Sequence, residues 1–271
     1  MKISVKVIVV TLTLLCAVVF VFSLFKIATA LNGYAVGEKT YDSIAADVLI
    51  FNESAKSSEA VRSTEVDESE TSAPPKETEK EKPPVSVDFD TLLSQNRDVV
   101  GWLYCEDTPL SYPVAQSYDN DYYLRRMLNG KYNISGTVFM DYRCSADCSD
   151  LNTIIYGHNM DDDSMFGTFM NYKEQGYYDK HPVIWFLTPE RDYKIELLAG
   201  YVTPSTSDAY DEIFSHEELD AHVRSAMEKS TFKSVAAYSS GDRIITLSTC
   251  SGEYETARYV LVGLLKPLNK K

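Results

Sequence analysis

The sequence predicts a mainly β fold with added helices, a closed or nearly closed β-barrel, over residues 87–271. Short apolar runs rich in β-branched and aromatic residues recur through this region, and turn residues separate them. These runs do not alternate regularly with helical segments, as they would in a parallel α/β sheet. A sheet that closes on itself, with helices on its outside, therefore fits the pattern best.

The N-terminal residues predict a membrane anchor. Residues 7–25 contain no charge in 19 positions, which is enough to cross a bilayer as a helix. A cleaved signal peptide is the alternative, because small residues just after this stretch could form a cleavage site. The stretch is, however, longer than the 7–15-residue apolar core of a signal peptide. The basic residues within 1–6 outweigh Lys26 on the other flank. The positive-inside rule therefore predicts a cytoplasmic tail over 1–6 and an extracellular remainder.

Residues 26–86 predict an extracellular stalk or linker that is partly disordered. Residues 52–86 have almost no large apolar side chain, so they cannot bury enough surface to offset the entropy of ordering. Residues 34–51 are more apolar and fit a further helix near the membrane. We expect the domain of residues 87–271 to act on peptides without any of the preceding residues.

The charge balance excludes one class of partner. Residues 87–271 hold 17 basic and 28 acidic side chains, which is −11 of the total net charge of −14. Because nucleic-acid binding needs a basic stripe, we expect no nucleic-acid partner.

The five cysteines are too few to predict a disulfide scaffold. A cysteine here is more readily explained as reactive or simply buried.

Helices and strands can be placed along the domain. Helical spacing of apolar residues predicts helices over 89–96 and 211–230, the second beginning near Ser215 with Glu217 and Glu218 in its first turn. The predicted strands, in chain order, are residues 136–140, 152–156, 183–187, 193–198, 243–247 and 258–262.

The last two predicted strands carry a thiol and a guanidinium. Cys250 ends the first of them, and Arg258 begins the next after a seven-residue polar connection. Antiparallel pairing would place the two side by side at one rim of the sheet, and alternation puts Ser248 on the same face as Cys250. A buried structural cysteine next to a surface arginine is the alternative.

A histidine stands at the end of another strand. His158 follows Gly157 directly after an apolar strand, at a position where side chains are displayed rather than packed. Histidine is the usual proton carrier near neutral pH. The other three histidines, by contrast, fit solvated or core positions: His181, His216 and His222.

Together these segments resemble the signature set of sortases, and class B most closely. The resemblance covers nearly all of residues 87–271. It is carried in chain order by Tyr112-Pro-Val-Ala-Gln, Asp119-Asn-Asp-Tyr-Tyr-Leu124, Tyr156-Gly-His158-Asn-Met, and Thr246-Leu-Ser-Thr-Cys250 with Arg258.

The resemblance implies a fold and an activity. The fold is an eight-stranded β-barrel with an N-terminal helix and an extra helix before the cysteine strands, which the helix over 211–230 fits. The activity is that of a membrane-anchored cysteine transpeptidase on the outer face of a Gram-positive-type cell, needing no cofactor or metal. It would cut a sorting signal after threonine, in class B often Asn-Pro-x-Thr followed by Asn or Gly. A peptidoglycan-precursor (lipid II) amine would then accept the surface protein.

The resemblance also implies residue roles. Cys250 would be the nucleophile, His158 the general acid and base, and Arg258 the cation that holds the oxyanion or positions the substrate. Motif alignment places substrate contacts at Asn120, Leu124, Thr206, Tyr210 and Ser248. Asp211 departs from relatives that carry an apolar residue there, which would make this part of the substrate site more polar.

Other functions remain open at this stage. A pilin-polymerising sortase would use a protein lysine as the accepting amine, and a non-catalytic anchored binding module would not need Cys250. A papain-like peptidase is disfavoured because its cysteine precedes its histidine in the chain. Cys144 and Cys148 lack the spacing of a structural zinc site, although a local disulfide between them is compatible with an extracellular domain.

Overall fold

The computed structural model describes residues 5–52 and 82–270. Eight of its strands form a closed barrel in the order β10-β8-β7-β3-β4-β5-β6-β9, which confirms the predicted fold class. These strands are β3 (Val99–Tyr104), β4 (Ser111–Gln116), β5 (Val138–Met140), β6 (Asn152–Tyr156), β7 (Val183–Leu187), β8 (Arg191–Pro204), β9 (Ile244–Cys250) and β10 (Ala257–Lys270). Residues 53–81 of the stalk predicted over 26–86 lie outside the described residues.

The first two barrel strands were not among the predicted ones. β3 contains Gly101 and β4 contains Pro113, and both residue types are depleted in strands, so propensity does not mark these segments. The glycine is required by packing, because a Cβ at Gly101 would lie 2.4 Å from the ring of Phe186. The remaining six strands overlap their predicted ranges, and β6 and β7 coincide with them.

Helix α4 (His216–Lys229) is the extra helix before the cysteine strand. Its start is set by a capping box, in which the Ser215 side chain accepts from the Glu218 N–H and the Glu218 side chain accepts from the Ser215 N–H. Its buried residues pack on the outer face of β8 and β10: Leu219, Val223 and Ala226. The predicted start near Ser215 agrees with this cap, while residues 211–214 of the predicted range 211–230 lie before the helix, after a short 3-10 turn, Asp208–Tyr210.

Helix α1 (Val5–Val48) begins the described chain, α2 is the short predicted helix Phe89–Gln95, and α3 is the single turn Gln175–Tyr178. α1 contains a segment long and apolar enough to cross a membrane, and the side chains described between residues 9 and 27 are exposed. The distal part of α1 packs against the barrel domain. The spacing of Tyr41, Ile44 and Val48 puts them on one helix face, and all three are buried in the core.

The docking of α1 also uses close backbone contact. The side-chain amide of Asn133 donates to the Gly33 carbonyl at 3.0 Å, and a Cβ at Gly37 would lie 2.8 Å from the Ser135 hydroxyl. After the helix, β1 (Leu49–Phe51) pairs antiparallel with β2 (Val85–Val87). Contacts between α1 and the barrel domain therefore extend back along the helix as far as Gly33.

Candidate active site

Three strand ends meet at one rim of the barrel. β9 and β10 are antiparallel with Cys250 opposite Arg258, so the predicted juxtaposition of thiol and guanidinium is present. β6 and β9 are parallel, and the Gly157 N–H extends their pairing by donating to the Ser248 carbonyl at 3.1 Å. Because parallel strands end at the same edge, His158, two residues after β6, and Cys250, the last residue of β9, both lie at this rim.

A pocket of about 380 Å³ opens at the rim. It is lined by seven of the eight residues that the sequence placed in the site: Asn120, Leu124, His158, Tyr210, Ser248, Cys250 and Arg258. Thr206 is exposed outside this lining, and its neighbour Ser205 is present instead. Asp211 is also exposed and absent from the lining, so the expected polar change at that position does not reach the pocket.

Cys250 is distinguished from the other barrel cysteines by its exposure. β9 is buried from Ile244 to Thr249, and Cys250 is its one exposed residue. Burial raises the pKa of the Cys105 and Cys144 thiols to about 11 and that of Cys148 to about 12. Since the thiolate is the reactive form of cysteine, these three are poor nucleophiles. They are all free thiols.

His158 is held in one tautomer by a backbone carbonyl. Its Nε2 lies 2.6 Å from the Leu124 oxygen, and because a carbonyl can only accept, Nε2 carries the proton and Nδ1 keeps its lone pair. Burial lowers the pKa of His158 below its usual 6.5, so the ring is neutral at pH 7. Gly136 supports this contact: it has a φ of 58° and a Cβ there would lie 2.5 Å from the Leu124 oxygen.

Arg258 is half-buried at the start of β10. One guanidinium nitrogen donates to the Ala257 carbonyl at 2.9 Å. No carboxylate of the described residues forms an ion pair with it. Its other N–H groups are therefore available to an oxygen in the pocket.

One side of the pocket is built from stacked and hydrogen-bonded tyrosines. The Tyr210 hydroxyl and the Ser248 hydroxyl are 2.8 Å apart. The rings of Tyr156 and Tyr210 stack with centroids 6.1 Å apart and an interplanar angle of 26°. Tyr210 comes from the turn before α4, so this contact joins that turn to the barrel.

The sequence prediction missed six lining residues: Phe139, Arg143, Tyr156, Gly157, Ser205 and Thr249. Tyr156 could have been found, since it stands two residues before His158 and strand alternation puts it toward the same side. Arg143 lies in a turn after β5, and no spacing pattern indicates where a turn side chain will point.

Proteins of known identity are similar in sequence to this chain. The sortase B of Listeria monocytogenes serovar 1/2a is 38% identical over 179 residues, which covers 64% of this chain and 72% of that protein. The Staphylococcus aureus sortase B is 33% identical over 181 residues, or 66% and 74% of the two chains. The chain belongs to the class B sortases. No family model matches the sequence.

Solved structures agree with this membership of the sortase B family. A Staphylococcus aureus sortase B–substrate complex superposes with a TM-score of 0.63 at 31% identity, covering 67% of this chain and 85% of that one. The Bacillus anthracis sortase B in complex with AAEK1 gives a TM-score of 0.60 at 34% identity, covering 66% and 83%. The chain is therefore a cysteine transpeptidase of the sortase type, an enzyme class that acts on substrates bearing sorting signals.

Proposed function

We propose that this sortase cleaves a C-terminal sorting signal of the Asn-Pro-x-Thr-Asn or Asn-Pro-x-Thr-Gly type after threonine and transfers the acyl group to a peptidoglycan-precursor (lipid II) amine. The single observation that carries the proposal is the convergence of Cys250, His158 and Arg258 on one open pocket. A thiol, a neutral imidazole and a free guanidinium supply a nucleophile, a proton acceptor and an oxyanion ligand.

The first half-reaction forms a thioester. His158 Nδ1 accepts the proton of the Cys250 thiol, and the sulfur forms a bond to the threonine carbonyl carbon. Arg258 donates to the carbonyl oxygen as it gains negative charge, a contribution whose loss typically costs about 10²–10³ in rate. The peptide C–N bond then breaks, and the proton held by His158 passes to the leaving amine.

The second half-reaction reverses these roles. A neutral amine attacks the thioester carbonyl, His158 takes up the proton that the amine loses, and Cys250 leaves as the thiol after reprotonation. Water in place of the amine would yield hydrolysis only. His158 must first accept a proton and then pass it to the departing amine. The rate is therefore expected to fall at low pH, where His158 is already protonated, and at high pH, where no proton is left for His158 to pass on.

The proposal includes a single-pass membrane location. The apolar part of α1 over 7–25 would cross the bilayer, the tail 1–6 would stay in the cytoplasm, and the barrel would stand outside. Surface proteins bearing sorting signals and a membrane-linked acceptor would then meet the pocket on the same side. The span in α1 supports this arrangement by its length and composition.

A pilin-polymerising sortase is the second candidate. It would use the same thioester and differ only in the accepting amine, a lysine side chain of a protein. The pocket is open to solvent at the rim, since Cys250 is exposed, and that opening is compatible with either acceptor.

The test uses the full-length protein in detergent micelles with quenched peptides containing Asn-Pro-x-Thr-Asn, Ser-Pro-x-Thr-Gly or Leu-Pro-x-Thr-Gly. Each peptide is incubated with no amine, with triglycine as a model of the cell-wall amine, or with a lysine-bearing peptide. Cleavage after threonine with mass-detected transfer to triglycine supports the proposal. Transfer to the lysine peptide alone supports the second candidate.

The matched control is Cys250→Ala beside Cys105→Ala, which removes the same atoms at a buried position. Cys250→Ala should abolish both cleavage and transfer, while Cys105→Ala should leave them measurable. Cleavage that survives in Cys250→Ala would refute the thioester mechanism.

A further inference from the structure

A buried carboxylate lies behind the pocket. Asp141 directly follows β5, its side chain has no exposed surface, and it is not among the residues that line the pocket. Its two oxygens accept five hydrogen bonds: from Asn120 Nδ2 at 3.1 Å, the Arg143 backbone N–H at 2.9 Å, Arg143 Nε at 2.9 Å, Arg143 Nη2 at 2.8 Å and the Tyr156 hydroxyl at 2.8 Å. Three side chains that line the pocket therefore donate hydrogen bonds to the same buried carboxylate.

The Asp141 carboxylate is ionised at neutral pH. Burial alone would raise the pKa of Asp141, but the hydrogen bonds from Arg143 and Tyr156 outweigh it and the pKa is lowered. A buried charge is tolerated when it is paired and its lone pairs are satisfied. Here the Arg143 guanidinium makes the two-point contact that suits a carboxylate best.

Asp141 fixes the orientation of the Asn120 amide. Asn120 Nδ2 donates to Asp141, and its Oδ1 accepts the Tyr142 N–H at 3.1 Å. A flipped amide would place Oδ1 against the carboxylate and lose both bonds. Asn120 therefore presents one defined donor and one defined acceptor site to the pocket.

Asp141 also fixes the turn before α4 through Arg143. The same Nη2 that contacts Asp141 donates to the Tyr210 carbonyl at 3.1 Å, and Tyr156, held by its hydroxyl, stacks on the Tyr210 ring. Besides the Tyr210–Ser248 hydroxyl contact, the turn before α4 is thus held to the barrel at two further points. Both ties depend on one carboxylate.

From this geometry we propose that Asp141 is a positioning residue for the sorting peptide, setting which groups Asn120, Arg143 and Tyr156 present in the pocket. The inference rests on the proposed function, because it assigns a peptide to this pocket. Asp141 contacts neither Cys250 nor Arg258 among the described hydrogen bonds, so it acts on peptide binding more than on the chemical step.

The experiment compares the full-length protein with Asp141→Asn in steady-state peptide cleavage. Asparagine has the same shape, but it loses the charge and puts N–H groups where donors already point. We expect the KM for the sorting peptide to rise about tenfold or more, with kcat changed by less than about threefold. Asp121→Asn is the matched control, since Asp121 is exposed in the same region, and it should leave both constants unchanged.

A double-mutant cycle separates positioning from general destabilisation. If Asp141 acts through Asn120, the KM effects of Asp141→Asn and Asn120→Ala should be strongly non-additive. Additive effects, or an unchanged KM in folded Asp141→Asn, would overturn the proposal. If Asp141→Asn fails to fold, Tyr156→Phe is the second variant, because it removes one hydrogen-bond donor to Asp141 Oδ2. An unchanged KM for the sorting peptide in Tyr156→Phe would equally overturn the proposal.

The two proposals fail in different ways. A parent enzyme that cleaves none of the sorting peptides refutes the proposed function and, with it, the positioning role. A parent that cleaves normally beside an Asp141→Asn variant with parental KM refutes the positioning role alone.

Discussion

The docking of α1 on the barrel gives a prediction that can be worked from the structure. Tyr41 is 3% exposed, its ring meets Tyr112 edge-on with centroids 5.6 Å apart, and its hydroxyl bonds the Gly136 carbonyl at 2.5 Å and the Thr137 hydroxyl at 2.9 Å. Tyr41→Phe removes two hydrogen bonds and should cost about 1–3 kcal/mol of unfolding free energy. Tyr41→Ala also removes the ring, which adds about 3–5 kcal/mol.

These costs convert to measurable shifts in melting temperature. At about 2–4 °C per kcal/mol for a domain of this size, Tyr41→Ala should lower the Tm by about 8 °C or more, with Tyr41→Phe between it and the parent. The assay is thermal unfolding of the full-length protein in detergent, followed by tryptophan fluorescence. Trp102 and Trp185 are both buried in the core of the barrel domain and report on it.

The same variants should also affect catalysis below the melting temperature. Tyr41 holds the Gly136 carbonyl, and Gly136 packs against the Leu124 carbonyl that orients His158. Tyr132→Ala is the matched control, because Tyr132 is 74% exposed and its loss should change stability by no more than about 0.5 kcal/mol. A Tyr41→Ala protein that melts within about 2 °C of the parent would show that α1 does not stabilise the barrel.

Three further predictions concern the site itself. Iodoacetamide at pH 8 should alkylate Cys250 before the other barrel thiols, whose pKa values are raised by burial; peptide mapping that finds another barrel cysteine labelled first would contradict this. Burial lowers the pKa of His158 in the folded protein, so the unfolded chain binds more protons than the folded one just below pH 6.5. The free energy of unfolding should therefore rise with pH in that window. His158→Asn should flatten this rise when the free energy is measured by denaturant titration. Arg258→Lys should lower kcat by about 10²–10³ at unchanged Tm, and a kcat within threefold of the parent would argue against an oxyanion role.

The prediction that residues 87–271 act on peptides without the preceding residues stays a prediction, and the contacts of α1 bear on the stability of such a truncated protein. The expectation came from composition, which marks 52–86 as polar but says nothing of what the more apolar helix before it contacts. Tyr41, Ile44 and Val48 are buried only because the barrel and the segment around Gly136 supply their surroundings. A truncated protein that begins at 87 is therefore expected to be less stable than one that keeps α1.

Much of this enzyme was determined by local sequence. Short apolar runs rich in β-branched and aromatic residues located six strands, and helical spacing of apolar residues located α4, because both patterns are present in neighbouring residues. The short connection between β9 and β10 made the pairing of Cys250 with Arg258 predictable, since few arrangements of two adjacent strands are available. The motifs around His158 and Cys250 carried the family resemblance.

The tertiary structure alone decided the rest. The parallel pairing of β6 with β9 brings His158 to Cys250 across 92 positions of the chain, and no local pattern specifies which distant strands become neighbours. Asp141 accepts hydrogen bonds from Asn120, Arg143 and Tyr156, which come from three separate segments of the chain. Local sequence encodes which face of a strand or helix is apolar, but contacts between remote segments depend on how those faces close around a common core.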